Sequence, residues 1–455
     1  EEYHIDGFRF DLVGLIDAET MNAVIDAVHA KYPDVIFYGE GWTMGTDVTK
    51  ENVTMATQQN AKATPNLAYF SDTIRDLIAG RDLNAEGFVN GIAGKESSMA
   101  DCFKATTSWC PSPTQTVNYA SCHDNYTLMD KINGAYASAS EEEKVKMNNL
   151  SASLYMLAQG IPFIHAGEEF LRTKVDENGE VIHNSYKSSD YVNALRWDNI
   201  EDEKYADVVD YYAGLIEFRK NHEALRLTER ADVAANVKYY KVSSNVLLFD
   251  IAGNDKVEGE VSDGIIVIYN ANKTAKDVSL YEYGIEEGEW KVCINAEDAG
   301  IEVLDTITDG KVTVDAISAM VLVKGETVDT DSVYLDNYRE PSVDDTTGNT
   351  GNASKPENPI VNPNAPTEEA ATEDATAEKA PTVVRPQVQE TVDSDNESEA
   401  DLEEDAVIEE EETPLASGSE EGEVISTLAI ATCSIVTTLV LVVGVCLLTV
   451  ISPIL

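Results

Sequence analysis

Three carboxylates stand where strand-like runs end. Gly7-Phe8-Arg9-Phe10-Asp11 closes on Asp11, Phe37-Tyr38-Gly39-Glu40-Gly41-Trp42 carries Glu40, and Ser121-Cys122-His123-Asp124-Asn125 carries Asp124. In parallel α/β folds, active sites gather at the carboxyl ends of the strands, so the three acids would face one mouth. A lone Asp at such a position is more often a turn former than a catalyst. Asp11 and Glu40, however, come as a pair one β-α-β unit apart. Arg9 lies two residues before Asp11, on the same strand face, and a guanidinium held there keeps a carboxylate ionised, as a nucleophile requires. Trp42 beside Glu40 offers an aromatic platform whose partial burial of the acid would raise its pKa. His123 adds a hydrogen-bond donor near neutral pH. One ionised and one protonated carboxylate are what glycoside hydrolysis needs.

The elements that must hold these groups are readable from periodicity. Gly7–Val13 reads as a strand. Asp17 then offers an N-cap with Glu19 in the first turn, and Met21, Val24, Ile25 and Val28 follow on one helical face. Pro33 ends that helix, and Val35–Gly39 reads as the next strand, which completes a unit of the length a β-α-β motif needs. The pattern continues with strands at Asn66–Phe70, Thr116–Ser121 and Ile161–Ala166. Helices are expected over Thr73–Ala79, Glu141–Gln159 and Tyr205–Lys220. Five strands interleaved with helices predict a parallel α/β sheet.

Near Ala231 the texture changes. Short β-rich runs at Val237–Val242, Val246–Ile251, Gly264–Tyr269, Val278–Leu280, Glu289–Ile294, Lys311–Val314 and Ala319–Val323 are separated by turn residues. This is the pattern of a small antiparallel sandwich. No P-loop, dinucleotide-binding glycine fingerprint or internal repeat is present.

The chain has 455 residues and a net charge of −51. That balance excludes a general nucleic-acid binder, which needs basic surface to displace counterions. The stretch 341–423 holds 24 acidic and 3 basic side chains, 8 of the 14 prolines and no aromatic residue. Such a composition cannot bury enough apolar surface to offset its ordering entropy, so it predicts a disordered, extended linker. The 32 residues 424–455 carry no charged side chain and are long enough for a transmembrane helix. They lack both a basic stop sequence and a Leu-Pro-x-Thr-Gly sorting signal. The expected organisation is therefore 1–225 α/β, 226–326 antiparallel sandwich, 327–423 acidic linker and 424–455 membrane span. The implied location is extracellular, with the lipid bilayer as a partner through that span. The start Glu1-Glu2-Tyr3-His4 runs straight into a strand, as expected of a piece of a longer polypeptide. The six cysteines show no zinc-like or redox-like spacing. Cys102 and Cys110 could bridge, although spacing alone does not show it.

Taken together, these segments resemble conserved blocks of glycoside hydrolase family 13, the α-amylase family. Gly-Phe-Arg-Phe-Asp-Leu with Tyr-Gly-Glu-Gly-Trp is most similar to the type I pullulanases, bacterial α-1,6 debranching enzymes. The run Ile161-Pro-Phe-Ile-His-Ala-Gly-Glu-Glu-Phe-Leu-Arg-Thr-Lys174 and the group Asn184-Ser-Tyr186 with Asp190 add to the likeness, which covers residues 1 to about 325. The resemblance implies a (β/α)8 barrel, of which this chain holds the equivalent of strands four to eight, and a retaining double displacement. It implies Asp11 as nucleophile, Glu40 as acid and then base, and Asp124 as the group that holds the sugar hydroxyls and favours a distorted ring. Arg9 and His123 would position Asp11 and the sugar, with Trp42, Asn184 and Tyr186 as further sugar contacts.

The family's first conserved block is absent, and an open half barrel exposes strand edges, so the chain alone is expected to be unstable or inactive. The expected substrate is an α-glucan polysaccharide or oligosaccharide: pullulan, glycogen or starch dextrins. The alternatives are an α-1,4-acting amylase or transglycosylase of the same family, or a cell-surface glycan-binding protein. No cofactor is required by this chemistry. The acidic surface could host Ca²⁺, but no EF-hand loop is present.

Overall fold

In the computed structural model, residues 5–44 and 53–328 are described. Almost all of the predicted acidic linker and the whole of the predicted membrane span, 424–455, lie outside them. Among the described residues no helix is long and apolar enough to cross a membrane.

The first layer is a five-stranded parallel sheet: β1 (Gly7–Phe10), β2 (Ile36–Gly39), β3 (Ala68–Phe70), β4 (Thr116–Asn118) and β5 (Ile161–Pro162). Spatial order equals chain order, β1-β2-β3-β4-β5, and every pairing is parallel. A doubly wound sheet reverses its order at a switch point. This one does not, so it curls in one sense as a segment of a barrel wall does.

Asp17 caps α1 (Ala18–His29) by accepting the Thr20 N–H at 2.8 Å, as Ser/Thr/Asp/Asn caps do. Met21 and Ile25 are buried, whereas Val24, expected on the same face, is exposed. The chain then supplies α2 (Asp72–Ala79), α3 (Glu96–Phe103), α4 (Leu128–Ala135) and α5 (Glu141–Met156). Helix α5 opens with a Ser140/Glu143 capping box, in which each side chain satisfies the other's free backbone donor. α6 (Asp190–Asn193), α7 (Glu203–Asn221) and α8 (Arg230–Asn236) complete the set. Four of the eight helices among the described residues, α1, α2, α5 and α7, match the sequence signals; α3, α4, α6 and α8 have no counterpart among the sequence-derived helices.

The β-rich region forms a six-stranded antiparallel sheet in the order β11-β10-β13-β8-β7-β6, beside a two-stranded pair, β12-β9. Its strands are β6 (Val237–Ser243), β7 (Val246–Ala252), β8 (Ser262–Asn270), β9 (Lys276–Ser279), β10 (Trp290–Ile294), β11 (Asp305–Ile307), β12 (Lys311–Val314) and β13 (Ser318–Gly325). Strand β11 has no counterpart among the sequence-derived strands, because three residues with an exposed Asp-Thr start give no alternation to read. One face of the sheet meets the β12-β9 pair through Leu248, Ile266, Leu322, Val278 and Val312. The other joins the core of the helical layer through Leu247, Phe249, Val267, Tyr269 and Val323. There the Phe103 and Phe249 rings stack with centroids 3.8 Å apart, and the Tyr269 hydroxyl donates to the Ser153 carbonyl at 3.0 Å.

Cys102, Cys110, Cys122 and Cys293 are all free thiols, so the possible Cys102–Cys110 bridge is not made. Burial pushes the Cys110 thiol up to about 11, which leaves it inert at neutral pH.

Candidate active site

Strand β1 stops at Phe10, three residues earlier than periodicity suggests. Leu12 adopts a left-handed conformation (φ 48°) and Val13–Leu15 turn as a 3-10 helix. The kink has a chemical result: the Leu12 N–H, released from strand pairing, donates to Glu40 Oε2 at 3.0 Å. Glu40 itself sits one residue past β2, and its Oε1 accepts from Arg9 Nη2 at 2.7 Å. The other terminal nitrogen of Arg9 pairs with Asp11. One guanidinium thus bridges both carboxylates, braced 5.6 Å from the centre of the Phe70 ring.

The two acids differ in surroundings. Glu40 is only 6 % exposed, while the Asp11 side chain is 69 % exposed at the open side. His123 joins them: one ligand-type atom from each of Asp11, Glu40 and His123 falls within 4.8 Å of the others. A cation could use such spacing, but Arg9 already places its positive charge on both carboxylates. Asp124 lies alongside, its Oδ1 3.3 Å from His123 Nε2. Asp11, Glu40, His123, Asp124 and Arg9 therefore converge at the carboxyl ends of β1, β2 and β4.

The three weaker candidates stand differently. Trp42 is partly buried against Ala68, Phe70, Val117 and Tyr119, so its ring packs on the sheet, and two hydrogen-bond donors rather than an indole meet the Glu40 carboxylate. Asn184, at φ 48°, braces a loop: its Oδ1 accepts the Asn125 N–H at 2.6 Å. His183 Nε2 meets Asn125 Oδ1 at 2.8 Å. Tyr186 is 71 % exposed under the Lys187 ammonium. Among the described residues no hydrogen bond joins Tyr186 to the carboxylates.

Residues that the sequence analysis left without a role lie directly beneath the site. Lys131, fully buried, donates to the carbonyls of Ala120 (2.9 Å) and Gly80 (3.2 Å). Ser121 Oγ donates to Glu168 Oε2 at 2.9 Å and lies 3.3 Å from His165 Nδ1. Lys174 Nζ donates to the His123 carbonyl at 3.0 Å. A charged residue amid apolar neighbours, as in Leu128-Met-Asp-Lys-Ile132, is the signal that marks Lys131.

No family model matches the chain. The pullulanase of Bacillus subtilis (strain 168) is 34% identical over 280 residues, 60% of this chain and 38% of that protein. Other relatives of the chain include pullulanase A of Streptococcus pneumoniae serotype 2 (strain D39 / NCTC 7466), 30% identical over 328 residues, and the chloroplastic pullulanase 1 of Arabidopsis thaliana, 29% identical over 253 residues. The Bacillus acidopullulyticus pullulanase superposes with a TM-score of 0.64 at 31% identity, over 71% of this chain and 38% of that one. The Paenibacillus barengoltzii pullulanase, solved with maltohexaose and alpha-cyclodextrin, gives 0.64 at 34% identity, over 72% of this chain and 49% of its own. The half-barrel sheet and the antiparallel sheets match that pullulanase fold. The chain spans 38% of the Bacillus subtilis pullulanase and 26% of pullulanase A of Streptococcus pneumoniae serotype 2 (strain D39 / NCTC 7466).

Proposed function

We propose that the protein to which this chain belongs is a retaining glycoside hydrolase that cleaves α-1,6-glucosidic linkages of pullulan, glycogen or starch dextrins. The observation that carries this is the pair Asp11 and Glu40, with carboxylate oxygens within 4.8 Å and one guanidinium between them. Retaining enzymes hold their two carboxyl groups about 5–5.5 Å apart, and inverting enzymes about 6.5–9.5 Å, to admit a water. The similarity to pullulanases, two of them solved with maltooligosaccharides, supports an α-glucan as the substrate.

In this reading the exposed Asp11 attacks the anomeric carbon, and Glu40 gives a proton to the departing oxygen. A glycosyl-enzyme forms. Glu40 then takes a proton from water, which releases the sugar with retained configuration. Arg9 keeps Asp11 oriented and ionised. Once Asp11 forms its ester, Arg9 faces Glu40 alone, so one cation serves the acid step and the base step in turn. His123 and Asp124 meet the sugar hydroxyls, where hydrogen bonds that strengthen in the transition state lower the barrier.

Product analysis on pullulan tests this with the protein expressed from its complete reading frame. Maltotriose released with retained anomeric configuration is the expected result; panose, or no cleavage, would overturn it. Asp11→Asn should reduce turnover by at least about 10³-fold while glucan affinity persists. If residues 424–455 insert in a membrane, the catalytic layers would be tethered outside the cell, and release by trimming the 341–423 stretch would show it.

A further inference from the structure

The turn that bears His123 and Asp124 rests on two buried charges of opposite sign. Glu168 is 4 % exposed and meets no cation at hydrogen-bond distance among the described residues. Its Oε1 accepts from the hydroxyls of Tyr155 (2.7 Å) and Tyr212 (3.1 Å), and its Oε2 accepts from Ser121 (2.9 Å). Lys131, 2 % exposed, holds the carbonyl of the preceding residue, Ala120. Successive residues of the chain leaving β4 are thus gripped from below, one by a buried ammonium and the next by a buried carboxyl. Two residues later comes His123, which meets Asp11 and Glu40, followed by Asp124 at its side.

Burying either charge is expensive. A merely structural contact to one hydroxyl and one carbonyl could be made by neutral groups. What two charges add is stiffness of placement, because charge-assisted hydrogen bonds are shorter and stronger than neutral ones. Burial also pushes Glu168 up to about 7 and draws Lys131 down to about 8. Near neutral pH Lys131 still keeps most of its positive charge, and Glu168 sits near its midpoint.

We propose that Glu168 and Lys131 are positioning residues: through the Ser121 hydroxyl and the Ala120 carbonyl they set the turn that aims His123 and Asp124 at the sugar. This rests on the hydrolase reading above, since it assigns His123 and Asp124 to the sugar.

The test uses Glu168→Gln, Ser121→Ala and Lys131→Met in the protein expressed from its complete reading frame. In Glu168→Gln and Ser121→Ala, kcat on pullulan should fall about 10–100-fold with KM changed less than about threefold, as expected when reacting groups are displaced by about an ångström. The double variant should lose no more than the worse single one, because both cut the same link. Hydrogen exchange should quicken in the peptide spanning 119–126 and stay unchanged at 7–12 and 36–42. Lys131→Met should quicken exchange in the same peptide. Wild-type kcat with unaltered exchange in Glu168→Gln and Ser121→Ala overturns the proposal, as does a uniform rise in exchange at all three peptides. Should Glu168→Gln fail to fold, Ser121→Ala carries the same outcomes. If the wild type does not cleave pullulan, the hydrolase reading falls, and localised exchange in 119–126 still reports the positioning.

Discussion

Glu168 and His165 lie on the same loop and titrate in opposite senses. Burial raises Glu168 from 4.5 to about 7, so its contribution to stability is complete below about pH 4.5 and is lost as pH rises to about 7. Burial lowers His165 from 6.5 to about 3, so its contribution is present above about pH 6.5 and is lost as pH falls to about 3. Between about pH 4.5 and 6.5 the two slopes oppose each other. Glu168→Gln should remove one of them. Denaturant unfolding across that window should show the variant becoming steadily more stable, relative to wild type, as pH rises, by up to about 3 kcal/mol. At this scale the strand-end acids were readable because each closes an apolar run, and Arg9 was readable because a two-residue offset shares a face. Glu168 lies in the run 161–174, where local pattern gives it no role. Its environment depends on Tyr155 and Tyr212, from two different helices, and single-segment patterning does not register that convergence.

The strand-to-loop junctions around Glu40 are built by close backbone approach. A methyl on Gly41 would lie 2.3 Å from the Tyr69 ring, and one on Gly39 2.5 Å from the Phe10 carbonyl. Tyr69 is fully buried with its hydroxyl 2.6 Å from Thr64 Oγ1, so it has little room to retreat. Gly41→Ala should therefore cost about 1–3 kcal/mol and shift Glu40 off Arg9. A lowered melting temperature together with lost pullulan cleavage checks this; an unchanged melting temperature would contradict it. Periodicity located the five parallel strands and four helices, but β4 and β5 are shorter than expected, at Thr116–Asn118 and Ile161–Pro162, and α3, α4, α6 and α8 went unread. The misjudged end of β1 is instructive: Leu12 and Val13 are apolar and read as strand, yet the Leu12 N–H is needed by Glu40, so the backbone takes a left-handed turn there. Such a conformation is uncommon for a non-glycine residue, and conformations of this kind concentrate at functional sites.

Across the whole molecule, the six-stranded sheet supports the helical layer rather than standing apart from it. The Phe103–Phe249 stack lies where the two meet, so Phe249→Ala should cost about 3–5 kcal/mol. Both layers should then melt in one transition at a lower temperature; a second, separate transition would show that they are uncoupled. Composition revealed two textures but not that they share a core, because that core is assembled from residues more than a hundred positions apart. The parallel sheet has a further consequence. Its order leaves the outer side of β1 and the two-residue β5 without neighbours among the described residues, and Ile5, Phe8 and Ile36 are exposed near β1. Free backbone donors and acceptors beside greasy side chains form an adhesive seam. Copies of the 455-residue chain expressed by itself should zip together there as concentration rises, giving a sedimentation coefficient that climbs with loading, and Ile5→Lys should flatten the climb.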